Sequence, residues 1–325
     1  MPEPERAVVE ARMRLDQFLV QTWPGLDRQS VRQSVRAGQV LINGQPASKA
    51  GQYVEVDDEI AVDGIAAGGL DADAGTDAGP FDLDVSIPAL PLTILYEDEA
   101  VLVVEKLAGV PTHPASRSVQ QQSAQTLAGQ LSALYPSLAH VGGADRAGIV
   151  MRAETEVSGA VLVAKDQATY RLLQRYVKHD QVERVYSVLV EGHLTGQDVI
   201  DQPIGNVKRA RRRMAVAREG RPARTAYRGQ RHYKDEKRDY SLLEVQPLTS
   251  RLHQIRVHFS WYGFPLVGDR VYGSRQQPLL PDRIFLHLSV LAFLHPLTGA
   301  IVRVESPLAP ELHSVLRYLT RQKGS

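Results

Sequence analysis

Cysteine is absent from these 325 residues, which excludes disulfides, thiolate catalysis and Cys-ligated zinc. No apolar run approaches the about 18 residues that a membrane-spanning helix requires. The opening stretch, MPEPERAVVEARMR, also lacks the apolar core of a secretory signal. These absences lead to the expectation of a cytoplasmic protein with no membrane partner. There is no P-loop, no GxGxxG after a strand and no His/Cys cluster at ligand spacing, so neither a cofactor nor a metal is expected. Lysine and arginine are missing between Lys49 and Lys106, where Asp and Glu recur. The net charge of +1 therefore conceals segregation, because residues 208–238 are dense in Arg and Lys. Such asymmetry points to a polyanion-binding surface, although any single charge run also reads as a solvated face.

Residues 12–63 read as one small unit. Leu15, Phe18 and Leu19 sit at helical spacing, and Pro24-Gly25 breaks the pattern. Asp27 stands where it would cap a second helix, which Gly38 closes. On that helix Arg28, Arg32 and Arg36 repeat every four residues and so form a stripe suited to phosphates. Val40 and Ile42 then alternate into Asn43-Gly44, a strong hairpin signal, and Tyr53, Val54, Val56, Ile60 and Val62 supply further strand material. Residues 64–91 are rich in Gly, Ala and Asp and poor in large apolar side chains. A flexible acidic linker is expected there, since little surface is available to offset the entropy of ordering.

Residues 92–321 read as a larger unit. Its organising stretch is residues 148–165, GIVMRAETEVSGAVLVAK, in which a loop carrying a carboxylate and an arginine precedes a continuous apolar strand. An amphipathic helix follows, with Tyr170, Leu173 and Val177 on one side, and then a strand on which Arg184 and Tyr186 share a face. The segment PIGNVKRARRRMAVAREGRPARTAYR reads as a basic hairpin, with Arg211, Arg212 and Arg213 at its tip. Ser250 is placed to cap a helix on which His253, Arg256 and Ser260 share a face. His113 reads as a structural residue in a Pro-flanked loop.

The stretch 148–165 resembles the RluA-like pseudouridine synthases, whose corresponding segment usually reads GIVHRLDRDTSGLLVVAK. Gly148, Ile149, Val150, Arg152, Ser158, Gly159, Val163, Ala164 and Lys165 match without a gap. HQIRVH, the later GD..YG, the basic hairpin and the Lys106 segment agree with the same family. Residues 12–63 are similar to the alpha-L RNA-binding domain named after a small-subunit ribosomal protein. The resemblance implies an α+β protein: a catalytic fold built on a mixed, mainly antiparallel sheet flanked by helices, with a small N-terminal α/β RNA-binding domain. It further implies an RNA pseudouridine synthase, an isomerase without cofactor or metal. The expected partner is structured RNA, ribosomal RNA foremost, and a monomer is expected.

Pseudouridine formation cuts the bond between uracil and ribose, turns the base and rejoins it through ring carbon 5. A carboxylate must act while ionised, as nucleophile or as base, and an arginine beside it favours the charged form. The family places its catalytic Asp where this chain has Glu154. By resemblance Glu154 is the catalytic carboxylate, Arg256 its basic partner and Tyr186 the platform that stacks on the uracil, with Arg152 holding the displaced strand. Arg28, Arg32, Arg36 and Arg211 to Arg213 are the expected RNA contacts. Two other readings stay open at this point. An impaired relative acting as an RNA-binding or ribosome-assembly protein would share every basic and aromatic feature, and a glycosidase-like hydrolase would use Glu156 as a second carboxylate.

Overall fold

In the computed structural model the described residues are 5–23, 31, 34–35, 38–62, 92–113, 125–143, 145–207, 213–274 and 276–322. The chain divides into two compact units, Met1–Asp84 and Val85–Ser325. No helix among the described residues is long and apolar enough to cross a membrane.

The first unit holds β1 (Glu5–Val8), β2 (Met13–Arg14), α1 (Leu15–Thr22), β3 (Val40–Ile42), β4 (Gln45–Pro46), β5 (Tyr53–Val54) and β6 (Glu59–Val62). Its core joins Leu15, Phe18 and Leu19 of α1 to Val31, Val35, Val40 and Ile60, in keeping with the spacing of these residues. Asn43 and Gly44 take φ of 50° and 78°, the pair of positive values that a two-residue hairpin with the right-handed strand twist demands. Val56 is not strand material: it sits in the exposed turn between β5 and β6. Asp27, the Arg28, Arg32 and Arg36 stripe and the linker residues 64–91 lie outside the described residues.

The second unit contains β7 (Ile94–Glu97), β8 (Val101–Lys106), α2 (Leu127–Leu134), β9 (Ser158–Ala164), α3 (Gln167–Lys178), β10 (Glu183–Glu191), β11 (Gln197–Asp201), β12 (Ile204–Asn206), β13 (Met214–Val216), β14 (Arg224–Lys234), β15 (Asp239–Pro247), α4 (Gln254–Trp261), β16 (Leu286–Leu294), β17 (Ile301–Glu305) and α5 (Pro310–Gln322). Its main sheet runs β11-β14-β15-β10-β16-β9-β8-β7, with β17 also on β16. Only the β16 to β9 pairing is parallel, so the sheet is mixed and mainly antiparallel, the α+β class expected.

β16 is where the sheet changes character. Along one edge it pairs with β10 from Leu286 to Ala292, while its other edge meets β9 at His287 and Leu288 and then β17 from Val290 onward. One core lies around β8, β9, α2 and α3, and a second around β10, β15 and α4. Every residue of β9 is buried, which is why its apolar run shows no alternation. Gly159 enters that strand at φ 117°, and a Cβ there would lie 2.3 Å from the Leu288 carbonyl oxygen. Only glycine permits this parallel contact. Asp166 caps α3 by accepting from the amides of Ala168 and Thr169.

Ser250 does not cap α4. The helix begins at Gln254, because His253 at φ 55° stands outside the helical conformation, and the Ser250 hydroxyl accepts from Arg184 Nη1 at 3.2 Å. The predicted basic hairpin is present as β12 paired with β13. Arg211 and Arg212 lie outside the described residues.

Candidate active site

Glu154 is carried by the loop that joins residues 148–150 to β9. Those residues pair back on the strand, with the Val150 amide donating to the Leu162 carbonyl and the Ala164 amide to the Gly148 carbonyl, both at 2.9 Å. The loop is tied from beneath at three points. Thr112 Oγ1 donates to the Ala153 carbonyl at 2.7 Å, the Gly109 amide donates to the Thr155 carbonyl at 2.8 Å, and Lys106 Nζ donates to the same Thr155 carbonyl at 3.2 Å. Lys106 is almost wholly buried and also donates to the carbonyls of Leu107 and Val110. Burial pushes its pKa down to about 7, the nearby Arg283 charge adding to the effect and the Glu154 charge opposing it. A loop anchored on both flanks of its functional residue holds that residue's backbone in place before any ligand arrives.

Arg256 reaches Glu154 from α4, Nη1 lying 2.5 Å from Oε2. Its Nε and Nη2 donate to the two carboxylate oxygens of Asp269 at 2.7 and 2.9 Å. Arg256 and Asp269 are buried, with side chains 3% and 0% exposed, whereas Glu154 keeps 27% of its side chain open. Burial opposes the arginine charge, but the hydrogen bonds and charges of Asp269 and Glu154 outweigh it and raise the Arg256 pKa above the ordinary value. Asp269 is placed by Gly268 at φ 86°, where a Cβ would meet the Arg283 carbonyl oxygen at 1.9 Å. It also accepts from the amides of Val271 and Tyr272.

Tyr272 packs against the face of α4 on which His253, Arg256 and Ser260 were expected to align. The Arg256 guanidinium lies 5.1 Å from the ring centroid, and Ser260 donates to the Tyr272 carbonyl. The Tyr272 hydroxyl accepts from the Met214 amide of β13 at 3.1 Å and lies 2.9 Å from His253 Nδ1. With the hydroxyl donating to Nδ1, the histidine carries its proton on Nε2, which lies 3.6 Å from Glu154 Oε2. Burial lowers the His253 pKa, against the raising effect of the Glu154 charge.

Beside this group lies a cavity of about 130 Å³ lined by Arg152, Glu154, Arg184, Tyr186, Arg256 and Leu288 among others. Pockets for drug-sized ligands occupy roughly 300–1,000 Å³, so this one has room for a single small group. Tyr186 projects into it from β10 and its hydroxyl makes no hydrogen bond among the described residues. Burial raises its pKa. Arg152 stands exposed on the rim.

The structure thus brings Glu154, Arg256, Tyr186 and Arg152 to one cavity. Arg213 does not line the cavity: it is exposed just before β13, with its guanidinium 5.8 Å from the Tyr272 ring. His113 does not line the cavity: its Nδ1 meets the Asp145 carbonyl at 2.9 Å, and burial lowers its pKa to about 4. Glu156 does not stand opposite Glu154 across the cavity but approaches the same Arg256 nitrogen, at 3.8 Å. Asp269, Tyr272, His253, Lys106 and Arg184 were not assigned from sequence. The only signal for the first two was the short motif GDRVYG following HQIRVH.

A family model described as RNA pseudouridylate synthase matches residues 100–261, and one described as S4 domain matches residues 13–60. The Bacillus subtilis (strain 168) protein named Uncharacterized RNA pseudouridine synthase YlyB is 36% identical, over 95% of this chain and 94% of its own length. Ribosomal large subunit pseudouridine synthase D of Escherichia coli (strain K12) is 29% identical, over 94% and 90%. The solved structure of Human RNA Pseudouridylate Synthase Domain Containing 1 superposes with a TM-score of 0.57 at 25% identity, covering 72% of this chain and 96% of that one. A carboxylate and arginine at a base-sized cavity, on a chain with these relatives along almost its whole length, make this protein a member of the RluA-like RNA pseudouridine synthases, RNA-modifying isomerases, with an S4-type RNA-binding domain at its N-terminus.

Proposed function

We propose that this enzyme converts specific uridines of ribosomal RNA to pseudouridine, as a monomer in the cytoplasm, with Glu154 as its catalytic carboxylate. The observation that carries the reading is the Glu154 to Arg256 contact of 2.5 Å at the mouth of a cavity lined by Tyr186. Residues 12–63, 64–91 and 92–321 act as RNA-binding domain, linker and catalytic domain. The target base leaves its stack, which costs a few kcal/mol in a paired region, and enters the cavity. Tyr186 stacks on it, a contact worth ~1–3 kcal/mol per base. Arg152 on the rim holds the strand the base has left. Arg28, Arg32 and Arg36 of the N-terminal domain and Arg211 to Arg213 of the hairpin neutralise RNA phosphates.

Ionised Glu154 then acts on the ribose, either at the anomeric carbon or on a ribose proton, and the glycosidic bond breaks. The base turns within the cavity and its carbon 5 bonds to the sugar, which releases the proton from that carbon. Arg256 favours the carboxylate form of Glu154 through a charge-assisted hydrogen bond. The similarity to a large-subunit synthase supports ribosomal RNA as the substrate class. The test is release of tritium from ring carbon 5 of labelled ribosomal RNA. Wild type should release it and Glu154→Gln should not, while binding RNA with little change. Release by Glu154→Gln at the wild-type rate would remove Glu154 from the mechanism.

A further inference from the structure

Away from the cavity, three side chains from three separate segments converge at one end of the main sheet. His193 follows β10, His232 belongs to β14, and Asp239 opens β15. His232 Nε2 lies 3.2 Å from His193 Nδ1 and 3.2 Å from Asp239 Oδ1. The three potential ligand atoms all lie within 4.8 Å of one another. In a tetrahedral zinc site with metal–ligand bonds of about 2.0–2.1 Å, adjacent ligand atoms stand about 3.3 Å apart. Two edges of this triangle already have that length. His193 Nδ1 also lies 3.0 Å from His232 Nδ1, so without metal the cluster is held by hydrogen bonds, His193 to His232 Nδ1 and His232 Nε2–H to Asp239, and a cation that displaces those protons uses the same side chains.

The backbone around the cluster is held in place. The Ser241 hydroxyl donates to the Gly192 carbonyl at 2.9 Å and accepts from the Leu194 amide at 2.8 Å, so the residues on both sides of His193 are fastened to β15. The Gly192 amide donates to the carbonyl of Asp239 itself at 2.7 Å. His232 and Asp239 lie two residues apart in the β14 to β15 register, diagonal neighbours on one face, where His232 faces Ser241 and Lys234 faces Asp239. The Arg238 cation beside them is engaged by Glu191 at 3.0 Å.

We propose that His193, His232 and Asp239 form a binding site for a divalent transition-metal ion of the zinc class, with a fourth position open to solvent. Two imidazoles and one carboxylate suit such a borderline ion, and they offer too few oxygens for magnesium or calcium. The ion fastens the loop after β10 to the β14–β15 hairpin. It takes no part in the reaction at Glu154: Tyr186 stands five residues before the end of β10 at Glu191, ~17 Å of strand at about 3.3 Å per residue.

The experiment is calorimetric titration of untagged, full-length protein, stripped with a chelator, with ZnCl2 and in parallel with MgCl2. One Zn²⁺ per chain and no Mg²⁺ is expected, with a rise in melting temperature on zinc addition. His232→Ala and Asp239→Asn should each weaken zinc binding by more than about tenfold, since loss of partners merely adjacent to a metal ligand already costs about 10–100-fold. Asp239→Asn keeps the size of the side chain and its place in the strand, so it remains informative if a histidine variant folds poorly. Wild type that takes up no zinc, or a His193→Ala/His232→Ala variant that binds it as wild type does, would overturn the site. Neither result depends on the uridine chemistry.

Discussion

Arg256 grips Asp269 with two nitrogens, at 2.7 and 2.9 Å, and this leaves Nη1 directed at Glu154. Asp269 has no solvent exposure and Arg256 almost none, so neither charge is tolerable without the other. Asp269 is therefore a positioning residue for the arginine. The two-pronged contact fixes the plane of the guanidinium, and that plane decides where the Glu154 carboxylate comes to rest.

Shortening the carboxylate should cost activity. Glu154→Asp withdraws the oxygens from Arg256 by roughly 1 Å, a displacement that costs about a hundredfold in rate when the geometry is otherwise held. Single-turnover tritium release should fall by about that factor, with RNA affinity nearly constant. A rate at or above wild type would mean that this site is not fitted to the longer side chain.

Asp269→Asn leaves a buried arginine without its main counter-charge. Breaking a buried ion pair on one side costs roughly 3–5 kcal/mol, and urea denaturation should show a loss in that range. The turnover number should fall as well, because Arg256 is then free to rotate away from Glu154. An unchanged denaturation midpoint would refute the clamp.

Tyr186→Ala and Tyr186→Phe separate ring from hydroxyl. Removing the ring should weaken binding of substrate RNA by about 1–3 kcal/mol, the usual worth of an aromatic platform under a base. The phenylalanine variant should bind within about threefold of wild type, since the hydroxyl has no hydrogen-bond partner to lose among the described residues. Filter-binding titrations decide the point, and equal affinities for all three proteins would remove Tyr186 from base recognition.

Lys106 should leave a mark on stability above neutral pH. Its pKa is about 7 when folded and near 10.5 when not, so between those values the unfolded chain holds more protons and stability rises with pH. Below about pH 7 both states are charged and the full cost of burying the ammonium is present. Comparing urea midpoints of wild type and Lys106→Met from pH 7 to 9, the wild type should gain on the variant as pH rises. Parallel curves would contradict the lowered pKa.

Whatever depends on a few neighbouring residues was legible in the sequence alone: the Asn43-Gly44 turn, the amphipathic α3, the buried run of β9, the β12–β13 hairpin and a helix carrying Arg256 and Ser260, although His253 precedes that helix. Backbone preference and side-chain periodicity decide such features within a turn or two of chain. The family resemblance also directed attention to Glu154, Arg256 and Tyr186. The contacts around them required the tertiary structure. Asp269 meets Arg256 from thirteen residues away, Lys106 reaches under the Glu154 loop from another strand, and Ser250 turns to Arg184 instead of capping α4. His193, His232 and Asp239 showed no ligand spacing because three different segments deliver them. Each of these meetings depends on which segments become neighbours in the folded sheet. That choice is made by burial of the whole sheet, and no local stretch of sequence encodes it.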